Sequence, residues 1–445
     1  MTLRQVIEGG YCIDCGACAA ADERIRVRMT PLGDLQAQLP LGWVDEQSPA
    51  AAAVCPFLPG EDETAIAARV FGEAPHADAR VGRYVELVAA YAPSTRAEGS
   101  SGGVVTWLLS RLLADDVIDA AIHVGPSSPG AERFFDYRVS EDAAALSSGS
   151  TSFYYPVSMD EVLAIVRATP GRYAITAVPC FHKALRRLRA VDPVLNERIR
   201  VQVGIVCGQM KSAHYLDYLA SLGGATAPLA SACFRRKVEG RPANDYAFEA
   251  TTVGSATRPA RTIRVLNSRI GVNWGMGYFK PPACDFCDDV VAETADVAAM
   301  DAWLPRYVGD GRGWSLVVAR TQALTEVLGR AAKDGDLVCE SVTVADVVES
   351  QRGGFNHRQD ALPYRLHLTG DNWTPPKRFA PSPALPWLLK IEQRLRSRLR
   401  RRSRAVWLAT GARGDAAGFH SQMRWDERVY RLFMRAKRRL GRFLL

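Results

Sequence analysis

Six cysteines at short, repeated gaps constrain this chain more than any other feature. Cys12, Cys15 and Cys18 form a C-x2-C-x2-C run, Cys55 stands directly before Pro56, and Cys284 and Cys287 form a separate C-x2-C. Three thiolates at two-residue gaps can wrap one face of a metal cluster, and a cysteine before proline is the usual closing ligand of a bacterial-type iron–sulfur motif. The fourth ligand is then Cys55, returning to the N-terminal loop, or Asp22. A four-cysteine zinc site competes, although zinc prefers separated C-x2-C pairs. A metal-free set is the remaining alternative.

At 445 residues, two or three structural units are expected. A chain this long buries a large core without disulfides. Met1–Gly10 is charged and lacks a signal peptide's apolar run, and no stretch approaches the ~20 apolar residues of a membrane span. A reducing cytoplasm with metal-bound thiolates is therefore expected, with a peripheral membrane contact as the alternative. The net charge of +8 divides into +13 on Lys390–Leu445 and −5 on the remainder, so body and tail are read separately.

From Tyr84 the pattern becomes that of an α/β protein. Val85–Tyr91 reads as a strand, Ser100, Ser101, Gly102 and Gly103 open an amphipathic helix at Val104–Ala114, and Ala120–Val124 reads as a strand. The rhythm recurs with a helix at Met159–Ala168, a strand at Tyr173–Val178, a helix at Phe181–Val191 and a strand at Val201–Val206. Both later strands run into a cysteine, Cys180 and Cys207, where ligands gather in open α/β sheets. Further on, strands are expected at Cys233–Arg236, Tyr246–Val253 and Leu316–Ala319, and a helix at Thr321–Lys333. Pro375, Pro376, Pro381, Pro383 and Pro386 predict a stiff linker.

With Cys284 and Cys287, Cys180 and Cys207 make a second four-thiol set. The alternatives are a redox dithiol, half of a zinc site, or buried small hydrophobes. Cys233 and Cys339 have no partner at a useful spacing and read as structural.

Taken in order, these motifs resemble one family. They are Cys12-Ile-Asp-Cys15-Gly-Ala-Cys18, Ser-Ser-Gly-Gly at 100–103, Val178-Pro-Cys180-Phe, Gly204-Ile-Val-Cys207-Gly, and Ala283-Cys284-Asp-Phe-Cys287 followed by Asp301-Ala-Trp303. Over roughly Cys12–Arg358 the chain resembles the coenzyme F420 hydrogenase/dehydrogenase beta-subunit family, related to plant hydroxymethyl chlorophyll reductases. The resemblance implies FAD (FMN being open), one or two 4Fe–4S clusters, and electron exchange with ferredoxin, an F420-type carrier or an organic substrate. Two positions depart from the pattern. Asp22 stands where a ferredoxin has its fourth cysteine, and Met300 replaces the glycine before Asp-Ala-Trp, where it could reshape the flavin site.

The expected fold class is α/β: a mixed-sheet flavoprotein body with a small N-terminal ferredoxin-like cluster module and a basic helical C-terminal extension. The expected units are 1–72 (cluster module), 73–168 (phosphate site), 169–373 (second cluster and flavin) and 374–445 (proline linker and basic tail).

Ser100, Ser101, Gly102 and Gly103 at a helix start suit a phosphate, or are simply a cap; the resemblance favours an FAD pyrophosphate, with Arg96 balancing charge or lying on the surface. Asn273, Trp274, Phe279 and Lys280 could face an isoalloxazine ring, or form a packed loop. Asp301 could accept a bond from ribose beside Trp303, or serve a turn. His182 and His357, with Tyr154 and Tyr155 behind them, are the proton-transfer candidates. No nucleophile–His–Asp arrangement supports hydrolysis.

The tail sets Leu395, Leu399, Val406 and Leu408 amid arginines, which predicts an anionic membrane surface or an acidic protein as partner. A solvated tail is the alternative, and nucleic acid ranks last because no recognised nucleic-acid module accompanies it. Two function classes follow: a flavin- and 4Fe–4S-dependent oxidoreductase, or an electron-transfer or docking subunit of a larger complex or of polysaccharide-associated machinery.

Overall fold

Long apolar runs build the centre of the molecule. In the computed structural model, which describes residues 2–128, 130–256, 258–370, 374–410 and 415–441 (without the side chains of 270–274 and 441), they form one eight-stranded mixed sheet. Its strands are β1 (Glu86–Tyr91), β2 (Ala120–Pro126), β3 (Phe135–Ser140), β4 (Tyr173–Ala177), β5 (Ile199–Ile205), β6 (Val297–Asp301), β7 (Ser315–Ala319) and β8 (Val338–Ser341). They lie in the order β8-β1-β7-β6-β5-β4-β2-β3. The inner strands β2, β4, β5 and β6 are parallel, and β7, β1, β8 and β3 join antiparallel. Every residue of β4 and β7 is buried, which explains why both read as unbroken apolar segments.

Helices cover both faces. On one, α1 (Val104–Ala114) and α4 (Gln322–Asp334) bury Trp107, Leu108, Leu112, Leu324 and Leu328 against Val88, Val203 and Val317. On the other, α2 (Asp160–Ala168) and α3 (Pro179–Val191) share one core with the N-terminal segment, where Ala17, Val54 and Phe57 join Leu163, Phe181 and Leu185. That segment holds short helices and an antiparallel hairpin, Arg26–Met29 with Leu35–Gln38. Its core is continuous with the body's. A second, three-stranded antiparallel sheet runs through Leu229–Arg236, Ala247–Thr252 and Thr262–Leu266.

The expected boundaries of regular structure hold closely at β1, α1, β4 and α3. Sequence reading missed β3, β6, β8 and the strand at Thr262–Leu266. Val297–Asp301 is mostly small residues and Val338–Ser341 is an exposed edge, so neither carries a strong strand signal.

The C-terminal segment departs most from a free extension. Two antiparallel helices, α5 (Trp387–Ala409) and α6 (Ala416–Gly441), fold back onto the body. Leu399, Val406, Trp407, Phe419 and Met423 pack with Tyr218, Phe234, Phe248 and Phe279 in one aromatic core. Arg404 pairs with Asp34 of the N-terminal hairpin. The proline-rich stretch before α5 is anchored too: Arg378 pairs with Glu293 at 2.8 Å, and Lys377, buried beside Phe57, reaches Asp288. A solvated tail is thereby excluded for these residues, because their apolar side chains are in the core. No helix among the described residues is long and apolar enough to cross a membrane.

Candidate functional site

A cavity of about 570 Å³ opens at the carboxyl ends of the parallel strands β2, β4, β5 and β6. This is where an open α/β sheet leaves room for a ligand, and the volume lies within the range of cofactor sites. Its walls include Ser100, Ser101, Gly103 and Val104 at one end and Cys207, Lys211, Lys280 and His357 at the other.

The turn into α1 is built around its glycines. Gly103 caps the helix at φ 77°, and a Cβ there would lie 2.6 Å from the Thr95 carbonyl carbon. At Gly102 a Cβ would approach the Ala90 oxygen to 2.5 Å. The hydroxyls mainly shape this loop. Ser101 donates to the Trp314 carbonyl at 2.6 Å, and Ser100 accepts from the Ser152 amide at 2.7 Å. The first-turn amides of α1 remain as donors for an anion. Gly103→Ala is expected to lower stability by at least the ~1–2 kcal/mol of a left-handed alanine. A melting curve like the parent's would refute this account of the turn.

Arg96 is neither at the surface nor on the cavity wall. It is buried, donates to the Gly313 carbonyl and pairs with Asp310, both at 2.8 Å, so it braces the loop from behind. Lys237, which sequence reading missed, donates to the Arg96 and Ser101 carbonyls. Burial, then Arg96, lowers its ammonium to about 8.

Asp301 and Trp303 both line the cavity. Both Asp301 carboxylate oxygens are held by Arg235, at 2.7 and 2.8 Å, which leaves a ribose only their remaining lone pairs. Arg235, also missed, is buried with its guanidinium over the Tyr246 and Trp303 rings. A lone arginine 66 positions from its partner carries no sequence signal. Met300 is on the cavity wall. Phe279 is not: it stacks on Phe419 in the aromatic core. The Asn273 and Trp274 side chains lie outside the described residues.

The two histidines separate. His182 is fully buried on α3, away from the cavity, with Nε2 3.0 Å from the Val203 carbonyl and Nδ1 2.9 Å from the Gln202 amide nitrogen. Both ring nitrogens are engaged, so it serves the core and not proton transfer. Burial holds its pKa down at about 4. The unfolded chain therefore binds a proton that the folded chain refuses, and this contribution to stability is lost as pH falls from about 6.5 to about 4. His182→Gln should flatten the acid limb of the stability curve by one proton across that window. An unchanged slope in urea titrations at stepped pH would count against this.

His357 lines the cavity in a single π-helical turn, Asn356–Asp360. Lys280 donates to its Nε2 at 2.7 Å and pairs with Asp285 at 2.7 Å, while Nδ1 has no partner among the described residues. Burial, then Arg400, lowers Lys280 to about 7, and burial keeps His357 mostly neutral. Together they can hold or pass a proton at the cavity wall. Tyr154 and Tyr155 face the same space. So do Arg396 and Arg400 of α5, and Arg400 also pairs with Asp285, between Cys284 and Cys287. The basic tail thus supplies part of the wall.

The thiols form two neighbouring groups. Cys12, Cys15, Cys18 and Cys55 surround a small apolar cavity of about 30 Å³ with Pro56 and Phe57. Left-handed turns at Asp14 (φ 66°) and Gly16 (φ 72°) coil the loop around it. Backbone amides near the sulfurs favour their charged forms against the effect of burial: Asp14 and Ala37 at Cys12, Ala17 at Cys15, Ala19 at Cys18, and Phe57 and Leu58 at Cys55. Asp22 is turned to Arg24 at 2.6 Å and does not reach this cavity. Burial, then the neighbouring Asp14 carboxylate, pushes Cys12 up to about 12.

In the second group Cys180, Cys207, Cys284 and Cys287 act electrostatically on one another. Arg358 donates to the Gly208 carbonyl beside Cys207, and the thiols Cys287, Cys207 and Cys284 raise its pKa against the effect of burial. Cys180 also feels Cys15, and Tyr137 feels both, so the groups adjoin. Cys207 lies on the cavity wall. Among the described residues no group of His, Cys, Asp and Glu is arranged to hold a single metal ion. Both groups are all-thiol donor sets, the donor type that an iron–sulfur cluster takes.

The structure is a mixed α/β sheet with a ligand-sized cavity at its carboxyl edge and two cysteine groups beside it. Residues 87–164 match the family model "Coenzyme F420 hydrogenase/dehydrogenase, beta subunit N-term", and residues 171–344 match that of the corresponding C terminus. The chain therefore belongs to the coenzyme F420 hydrogenase/dehydrogenase beta-subunit family, whose hydrogenase is an oxidoreductase. It is 23% identical, over 264 residues, to the coenzyme F420 hydrogenase subunit beta of Methanothermobacter thermautotrophicus, covering 57% of this chain and 84% of that one. Its fold is similar to a chain of the F420-reducing [NiFe] hydrogenase complex from Methanosarcina barkeri. The TM-score is 0.51 at 17% identity, covering 68% of this chain and all of that one. Neither family-model match includes the first cysteine group or the C-terminal hairpin.

Proposed function

We propose that this chain is a flavin- and 4Fe–4S-dependent oxidoreductase that couples a two-electron carrier or substrate, F420-like or organic, to a one-electron carrier such as ferredoxin. One observation carries the reading: Cys207 belongs both to the second thiol group and to the wall of the cofactor-sized cavity. FAD, when bound, supplies conversion between two-electron and one-electron transfer. The chain's own part is to bind and orient. The start of α1 would take the pyrophosphate, Met300 and Trp303 shape the wall, and Lys280 with His357 holds a proton beside it. The thiol groups adjoin through Cys15 and Cys180, giving a continuous route from the N-terminal segment to the cavity.

The test is iron, sulfide and flavin content of anaerobically purified protein, followed by bleaching with candidate donors. About eight irons and one FAD per chain support the reading. Zinc without flavin overturns it. A second reading, a docking subunit without its own substrate, is favoured by the similar proteins being parts of hydrogenases. Deleting the tail cannot discriminate the two, because the tail is part of the core. Turnover by the isolated full chain with a soluble donor can.

A further inference from the structure

The two C-terminal helices sort their charges by side. Their carboxylates, Glu392, Asp426 and Glu427, are all buried. The charges left outside are basic: Arg424, Arg428, Arg435, Arg438 and Arg439 on α6 are exposed and form no ion pair among the described residues. Arg394 and Arg401 continue the pattern on α5. Large apolar side chains stand among these cations. Trp425 is 69% exposed and Leu432, two turns along the same stripe, 63%. Trp387, at the end where α5 meets the end of α6, is 63% exposed, and Leu440 lies at that same end.

We propose that this outer face of the hairpin is a docking surface for an anionic lipid bilayer. Arginines alone would suit any polyanion. Protruding tryptophan and leucine are unfavourable in water and gain nothing from phosphates, but they gain from an apolar phase just beneath an anionic headgroup layer. The 26-residue α6, about 39 Å long, lies along the face, so it would rest in the interface plane without spanning it. Inward pairing of Asp426 with Arg398 and Arg402 keeps carboxylates from opposing the membrane's charge. This inference stands apart from the redox reading, since neither cysteines nor cavity enter it.

Full-length protein should co-sediment with phosphatidylcholine vesicles containing phosphatidylglycerol and not with phosphatidylcholine alone, and high salt should release it. W425A/L432A and R428E/R435E should each weaken that binding about tenfold or more, with far-UV circular dichroism and melting temperature unchanged. Should the charge-reversal variant fail to fold, the apolar pair still decides. Equal binding to both vesicle types overturns the proposal. So does W425A/L432A binding like wild type, or duplex DNA displacing vesicles at equal phosphate concentration, since each makes the surface a general polyanion site.

Discussion

Removing residues 387–445 is expected to abolish folded protein, and Trp407→Ala alone to cost about 3–5 kcal/mol. Trp407 is 1% exposed and edges onto Tyr218, Phe279 and Phe419 at centroid distances of 5.9, 5.5 and 5.7 Å. Truncation would uncover Tyr218 and Phe279, strip Arg400 from Asp285, and leave Asp34 without Arg404. Against a total stability of roughly 5–15 kcal/mol, this loss is decisive. Urea midpoints measure it, with Trp425→Ala as the control, because an exposed substitution should shift stability by no more than about 0.5 kcal/mol. A truncated chain that melts like the full one would mean the hairpin is only an appendage.

On the proposed two-cluster reading, Cys15→Ser and Cys207→Ser are expected to remove about half the iron each, from about eight per chain to about four. They sit in different thiol groups, so each should spare the other cluster. Cys207→Ser should also change the flavin spectrum, because its side chain lines the cavity. Cys15→Ser should leave that spectrum alone. Cys233→Ser is the control: its thiol, 3.6 Å from the Thr151 hydroxyl, belongs to neither group. Iron, sulfide and visible absorbance after anaerobic purification give the result. Full iron in either variant would remove that thiol from the ligand set.

The order of the two thiol groups explains why these variants can be read separately. Cys12–Cys18 and Cys55 belong to a segment whose core is shared with α2 and α3. Cys180 and Cys207 follow β4 and β5, at the strand ends where the cavity opens. Arg187 ties them mechanically, donating from α3 to the Cys55 carbonyl at 2.6 Å.

By itself the sequence determined whatever short-range spacing controls. That includes the C-x2-C runs, the strand–glycine–helix turn at 100–103, the buried strands before Cys180 and Cys207, and the family resemblance that the comparisons bear out. Only the tertiary structure decided which charges meet. Arg404 finds Asp34 across 370 positions, Arg235 closes on Asp301, and Arg96 turns from the cavity to Asp310. It also drew His182 into the core, left His357 at the cavity, and folded a basic tail into the protein. The reason is physical: periodicity reports which face of an element is apolar, but a side chain's partner depends on which distant surface packs against that face. The tail's Leu395, Leu399, Val406 and Leu408 amid arginines read as a face for an external partner. Only the fold shows that Leu399 and Val406 pack into the aromatic core while Arg400 and Arg404 turn inward to Asp285 and Asp34.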